Sequence, residues 1–322
     1  MNKVRWGIIG CGDVTEVKSG PALQKATGSE LVAVMRRNGN LAKDYAQRHK
    51  VAKWYDNAQD LINDPDVDAV YIATPPSSHK EYTLAVAKSK KPVYVEKPMA
   101  LNHRECQAMI HACEVLNVPL FVAYYRRALP RFCKIKSLLG NKAIGTVRAV
   151  NIRLYKPATE SDIKGLENWR VDPKIAGGGY FVDLACHMID LLQFLIGPII
   201  SAQGHVSNQA GYYSAEDVVS ASFQFEDNIQ ASGIWCFNTN IDFEQTEILG
   251  SDGQIIYSNF MEAPVILRKN GKEEIFNIDH PEHIQQPLIQ RIVDELLGKG
   301  ISPSRGTTAA KTNWVMDQLL SK

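Results

Sequence analysis

The chain has 322 residues, of which 45% are apolar and 22% charged, with a formal net charge of +1 at neutral pH. This length exceeds the usual span of one hydrophobic core and predicts two domains. A charge balance so close to zero provides no field to gather nucleic acid or anionic lipid, so neither nucleic acid nor a membrane is an expected partner.

Residues 4–9 read as a first strand that begins almost at the N-terminus. Lys3 and Arg5 stand too close to Gly10 to leave room for the apolar core of a signal peptide, and a cytoplasmic protein is expected. The strand runs into Gly10-Cys11-Gly12-Asp13-Val14-Thr15, the G-x-G-x-x pattern of a dinucleotide turn with Thr in the last place. Glycine at the first two positions lets the chain turn tightly and bring its backbone close to a pyrophosphate at a helix N-terminus. Gly10, Gly12, Asp13 and Val14 are therefore candidate cofactor-binding residues, although a plain glycine turn between strand and helix has the same local form. Gly20-Pro21 breaks or shortens the first helix, and residues 30–35 form a second strand.

That strand ends in Arg36-Arg37-Asn38. A dinucleotide site for NAD(H) places a carboxylate about twenty residues after the glycines, where it meets the adenosine ribose. Here no acid follows until Asp44. A guanidinium offers paired donors to a phosphate, so Arg36 and Arg37 predict NADP(H) in preference to NAD(H).

Helices at 41–49 and 56–62, a buried strand at 67–74 ended by Pro75-Pro76, and a helix at 79–89 continue the alternation. Val93-Tyr94-Val95 reads as a short buried strand, which Pro98 ends because it has no N–H. Glu96 and Lys97 then fall at the carboxyl edge, where open α/β sheets bind ligands. With a helix at 102–117 and a strand at 119–123, residues 1–123 are predicted to be an α/β, doubly wound Rossmann-type domain with a parallel sheet.

From residue 124 the composition shifts. A helix at 130–139 and a strand at 146–155 precede an irregular loop at 156–177, which contains Trp169-Arg170 and is long enough to cover a site. Strands at 201–207, 217–225, 229–237, 242–249, 253–258, 265–269 and 274–278 alternate with turns such as Glu226-Asp227-Asn228 and Asn270-Gly271. They predict an α+β second domain over residues 124–322 with a largely antiparallel open sheet. Helices at 286–297 and 307–320 close it, the last a candidate to pack back on the first domain. The apolar run 182–200 carries Asp183, His187, Asp190, Gln193 and Pro198, which argues against a membrane span. Six cysteines without C-x-x-C spacing indicate neither a metal site nor a disulfide framework, and buried thiols are expected.

Asp183 and His187, entered through Gly178-Gly179, are four residues apart and share one face of a helix. Taken alone, a core helix with a satisfied histidine fits that pattern as well. Together, however, the Gly10 turn, Ala73-Thr74-Pro75 followed by His79, Glu96-Lys97-Pro98 and Asp183-x-x-x-His187 resemble the glucose-fructose oxidoreductase, inositol dehydrogenase and MocA family over nearly the whole chain. Thr15 and Pro76 depart from the family's usual residues.

The resemblance implies that Thr74, Pro75, His79, Glu96 and Lys97 join the cofactor site, with Lys97 polarising the substrate oxygen, His187 as general acid/base and Asp183 orienting substrate or imidazole. Glu96 is expected to hold Lys97. Tyr124, Arg126, Trp169, Arg170 and Tyr180 are pocket candidates, and their polar and aromatic character suits a small hydroxylated substrate such as a sugar, sugar derivative or cyclic polyol. The resemblance also implies a homodimer or homotetramer formed through the C-terminal sheet. Three other activities fit the same fold: a non-catalytic NADP-binding sensor, a redox-assisted glycoside hydrolase that retains its cofactor, and a reductase of diketones or dihydrodiols.

Overall fold

Strand and helix alternate through the first third of the chain, seen in a computed structural model that describes residues 2–321. In order they are β1 (Val4–Ile9), α1 (Gly20–Lys25), β2 (Ser29–Met35), α2 (Gly39–Arg48), β3 (Lys53–Tyr55), α3 (Ala58–Asn63), β4 (Ala69–Ile72), α4 (His79–Lys88), β5 (Val93–Val95), α5 (His103–Val115) and β6 (Leu120–Val122). The rest begins with α6 (Pro130–Gly140), β7 (Val147–Tyr155), α7 (Glu160–Ile163), α8 (Pro173–Ala176) and α9 (Cys186–Leu195). Strands β8 (Ile199–Ser207), β9 (Val218–Phe225), β10 (Gln230–Cys236), β11 (Phe243–Gly250), β12 (Gly253–Tyr257), β13 (Val265–Lys269) and β14 (Lys272–Phe276) follow, then α10 (Gln286–Leu296) and α11 (Gly306–Leu320).

Two compact units result, Met1–Leu129 with Pro281–Ala310, and Pro130–His280 with Lys311–Lys322. In the first, six strands in the order β3-β2-β1-β4-β5-β6 pair in parallel throughout. Every residue of β4, β5 and β6 is buried, as strands covered by helices on both faces require. The order reverses between β1 and β4, which opens a crevice at the carboxyl ends of neighbouring strands. β1, β4 and β5 lie side by side there. Gly10, Thr74-Pro75 and Glu96-Lys97 directly follow these three strands.

The domain boundary inferred from sequence needs correction. Residues 281–310 group with the first unit, because β6 is an edge strand and this segment covers it. Val122 N–H donates to Ser304 O at 3.1 Å, Ser304 Oγ donates to Val122 O at 2.7 Å, and Phe121 bridges Arg305. Leu288, Ile289, Ile292 and Val293 of α10 are fully buried, each contributing about 1.5–3 kcal/mol relative to exposure. Gln290 ties the helix to both N and O of Thr27. Only the first turn of α11 belongs to this unit. A second correction is β3, three residues too short to show a period, which pairs with β2 from Ala33 to Met35.

The second unit is an eight-stranded sheet in the order β14-β13-β12-β11-β7-β10-β9-β8. It is antiparallel except where β10 runs parallel to β7. The long excursion from 156 to 198 supplies the kind of crossover that a parallel pair needs. One face carries Val150, Ile152, Leu154, Ala231 and Trp235, all buried. Trp235 meets the ring of Phe181 edge-on at 5.2 Å and donates from Nε1 to Met188 Sδ at 3.3 Å, which seats α9 on the sheet. The stretch Pro173–Leu195 is the one helical span among the described residues long and apolar enough to cross a membrane, and 78% of its 18-residue apolar window is buried within the fold. Four cysteines are buried, but Cys236 is half-buried and Cys133 exposed.

Candidate active site

At the end of β1 the backbone doubles back over β2, with Gly10 N and Cys11 N both donating to Met35 O at 2.9 and 3.1 Å. Gly10 takes φ +90°, and a Cβ there would meet Thr74 Cγ2 at 2.6 Å. Both facts require glycine. At Gly12 a Cβ would find only Gly10 O, at 3.9 Å, so the space above the turn is open, as the cradle for a pyrophosphate must be. Thr15, the departure from the usual small residue, is an internal clasp: its Oγ1 donates to Gly12 O at 2.7 Å and accepts from Gly12 N at 3.0 Å. A π-helical turn, Thr15–Ser19, then leads into α1. Asp13 is exposed and Val14 half-buried at its mouth. Burial pushes the Cys11 thiol up to about 11, so it stays a neutral thiol at physiological pH.

Arg36 and Arg37 are exposed at the end of β2. Asn38 caps α2, its side chain accepting from Leu41 N at 3.3 Å. Asp44, the first acid after the strand, accepts from Arg48 Nε at 2.7 Å. Arg48 also grips Glu16 through both terminal nitrogens, and this hydrogen bonding holds the Glu16 carboxyl down at about 2. Both nearby carboxylates are thus engaged by one arginine, while Arg36 and Arg37 stand at the solvent edge.

After β4, Ser78 Oγ donates within the turn, to Thr74 Oγ1 at 2.8 Å and Pro75 O at 3.0 Å. His79 corrects an expectation. It is fully buried, with Nε2 2.7 Å from Thr74 O and Nδ1 3.0 Å from Pro98 O. It therefore braces the two loops from beneath instead of facing a cofactor, and burial lowers its pKa below the ordinary imidazole value. After β5, Glu96 is buried and Lys97 half-buried. Glu96 Oε1 accepts from Tyr71 Oη at 2.6 Å and from Gln285 Nε2 at 2.8 Å, while Oε2 accepts from Lys97 N at 3.1 Å. Neither Tyr71 nor Gln285 belongs to a motif, and no pattern in the sequence points to them. Tyr124 and Arg126 are also buried in this unit, Arg126 stacked on the Tyr125 ring at 5.0 Å.

In the second unit Asp183 lies in another π-helical turn, Phe181–Ala185, which runs into α9. The four-residue spacing to His187 is therefore not that of a plain α-helix. The wider turn nevertheless leaves Asp183 partly exposed, while His187 is buried with its ring edge-on to Phe260 at 6.2 Å. Arg170 Nε lies 3.9 Å from Asp183 Oδ2, and its guanidinium stacks on Trp169 at 4.6 Å. The structure thus brings Trp169, Arg170 and Asp183 together. Tyr180 goes elsewhere: its hydroxyl donates toward Asp162, 2.9 Å from each carboxylate oxygen, and accepts from Asn168 Nδ2 at 2.9 Å. Burial pushes it up to about 12, and its hydroxyl pins the 156–177 loop. Gly179 N donates to Glu216 Oε1 at 3.0 Å and fixes the entry to the turn.

An oxidoreductase family with an NAD-binding Rossmann fold, GFO_IDH_MocA, matches residues 4–124, and a GFO/IDH/MocA C-terminal domain matches residues 132–256. The chain is 42% identical over 319 residues to Oxidoreductase P35 of Formosa agariphila, with 98% of each chain covered. It is 28% identical over 310 residues to a 1,5-anhydro-D-fructose reductase of Ensifer adhaerens, covering 94% of this chain and 91% of that one. Levoglucosan dehydrogenase, solved in complex with NADH and levoglucosan, shares the fold, with a TM-score of 0.86 at 20% identity over 99% of this chain and 96% of its own.

Proposed function

This chain belongs to the GFO/IDH/MocA family of oxidoreductases, and on that premise we propose that it transfers hydride between NADP(H) and a secondary alcohol or ketone of a sugar, sugar derivative or cyclic polyol. It is an NAD(P)-dependent dehydrogenase or reductase acting on CH–OH groups. One observation carries the proposal: the Gly10 turn, Thr74-Pro75 and Glu96-Lys97 follow three adjacent parallel strands at one sheet edge. In it, Gly10, Gly12, Asp13 and Val14 hold the pyrophosphate, Arg36 and Arg37 the adenosine end, and Thr74 and Pro75 line the path to Lys97. The bound nucleotide supplies or accepts the hydride. Lys97 brings an ammonium to the reacting oxygen, His187 exchanges the hydroxyl proton, and Asp183, with Trp169 and Arg170, orients hydroxyl groups. The substrate class is supported by two relatives named for cyclic sugar derivatives, 1,5-anhydro-D-fructose reductase and levoglucosan dehydrogenase. NADPH consumption with a panel of keto-sugars tests it. NADPH binding without consumption by any of them would count against it and for a sensor.

Preference for NADP(H) is supported by the exposed Arg36-Arg37 pair and by the capture of Asp44 and Glu16 by Arg48. NADPH is expected to bind at least about tenfold tighter than NADH, and the double change Arg36→Ala/Arg37→Ala to erase most of that difference, because the guanidinium donors meet a phosphate that NADH lacks. Fluorescence titration with both nucleotides checks this, and tighter binding of NADH contradicts it.

A homodimer or homotetramer through the outer face of the eight-stranded sheet is part of the proposal. Ile234 is exposed on β10, on the face opposite the buried Ala231 and Trp235. Light scattering after size exclusion should give two or four chain masses, and Ile234→Lys should lower that number. A monomer at micromolar concentration would refute it.

A further inference from the structure

Beneath the loop that carries Lys97 lies a closed set of buried polar groups whose polarity runs one way. Tyr94 Oη donates to Gln285 Oε1 at 2.9 Å, and Gln285 Nε2 donates to Glu96 Oε1 at 2.8 Å. Tyr71 Oη donates to the same carboxylate oxygen at 2.6 Å, and the other oxygen takes the Lys97 N–H at 3.1 Å. Gln285 is wholly buried, and the rings of Tyr71 and Tyr94 stack at 4.7 Å with Trp6 edge-on behind Tyr94. An amide flipped the other way would set its carbonyl against a carboxylate, so Glu96 fixes which end of Gln285 faces it, and the Tyr94 hydroxyl donates to the carbonyl left at the other end. Gln285 precedes α10, 189 residues away in sequence from Glu96, and α10 is anchored independently by its own apolar face. A fully satisfied buried network of this kind rigidifies whatever it holds.

We propose that Gln285 is a positioning residue: it holds the Glu96 carboxylate, and through it the backbone at Lys97, in the place the reaction requires. This rests on the role given to Lys97 above. Tyr71 supplies the second donor, and His79, which also feels the Glu96 charge, braces the far side of the loop.

The test compares wild type with Gln285→Leu, Gln285→Glu and Lys97→Ala. NADPH and the keto-sugars are the probes, and NADPH affinity and thermal stability are measured in parallel. Gln285→Leu should lower kcat about tenfold or more, the effect of one lost hydrogen bond to a charged group, with NADPH Kd within about threefold. Gln285→Glu puts two carboxyl groups in one site, which share a proton at low pH and repel at high pH. Once protonated, the introduced carboxyl donates to Glu96 as the amide did. The turnover of Gln285→Glu relative to wild type should therefore rise about tenfold from about pH 8 to about pH 5.5, and its Tm deficit should shrink by more than half. Gln285→Leu should show neither recovery.

Parallel behaviour of the Leu and Glu variants at both pH values would overturn the proposal. So would a Tm loss with unchanged kcat. Lys97→Ala with wild-type turnover would refute the role of Lys97 and this role with it. An inactive Lys97→Ala beside a fully active Gln285→Leu would refute the Gln285 role alone. Should Gln285→Leu fail to fold, the pH response of Gln285→Glu decides, in Tm as well as in turnover.

Discussion

Lys97→Ala is expected to lower turnover by about 10² or more while leaving NADPH affinity within about threefold, because the lost interaction belongs mainly to the transition state. Oxidation of a secondary alcohol develops negative charge on oxygen as the hydride leaves, and reduction of the ketone passes through the same state in reverse. An ammonium at that oxygen stabilises the charge where it develops. The loop is suited to hold it. Glu96 is buried and takes three hydrogen bonds, one of them from Lys97 N, so the main chain that carries the ammonium is fixed from below. Lys97 itself is half-buried, open enough to meet a ligand. Lys97→Arg separates charge from position. It keeps a cation, but the planar fork cannot replace the compact ammonium, so most of the loss should remain. Stopped-flow measurement of the NADPH signal under single-turnover conditions reads the chemical step directly. Unchanged rates in Lys97→Ala would remove Lys97 from the chemistry.

His187→Ala is expected to lower turnover by about 10²–10⁴, the range for loss of a general acid/base, and to remove the near-neutral limb of the pH–rate profile. The residue is 4% exposed on α9, directly after the turn that holds Asp183. Burial alone fits a core histidine, so the variant that matters most is His187→Gln. It keeps a polar side chain of similar reach but cannot titrate. KM for the sugar should change little, kcat should fall, and the limb should vanish. A limb that survives in His187→Gln assigns the proton transfer to another group.

Much of the first unit was legible because its backbone leaves few choices. Only glycine accepts φ +90° with Thr74 at the Gly10 Cβ position, and Pro98 stops β5 so that Glu96 and Lys97 reach the edge. Long-range pairing was not legible. β3 has three residues and no period to detect, and the amphipathic pattern of α10 reveals a buried face without revealing which unit buries it. The parallel partnership of β7 and β10 depends on where a long excursion returns, which hairpin spacing does not encode. Within the candidate site, residue type located the charged groups but not their duties. His79 braces two loops through the carbonyl oxygens of Thr74 and Pro98, and Tyr180 pins a third through Asp162 and Asn168, pairings that residue type alone does not announce. Gln285 was invisible, since a lone glutamine before a helix carries no signal until the fold sets it against Glu96. Thr15 was visible as an irregularity, and its clasp on Gly12 explains why the turn tolerates it.

The most direct measurement is of label transfer. NADPH deuterated on either face of the reactive nicotinamide carbon is incubated with the protein and each keto-sugar, and the product is analysed by mass spectrometry and NMR. Hydride transfer predicts deuterium on one carbinol carbon of the sugar, from one of the two labelled faces only, and appearing about 10²-fold or more slower with Lys97→Ala. A sugar product without label, or transformation of a glycoside with no net NADPH consumed, would contradict the account.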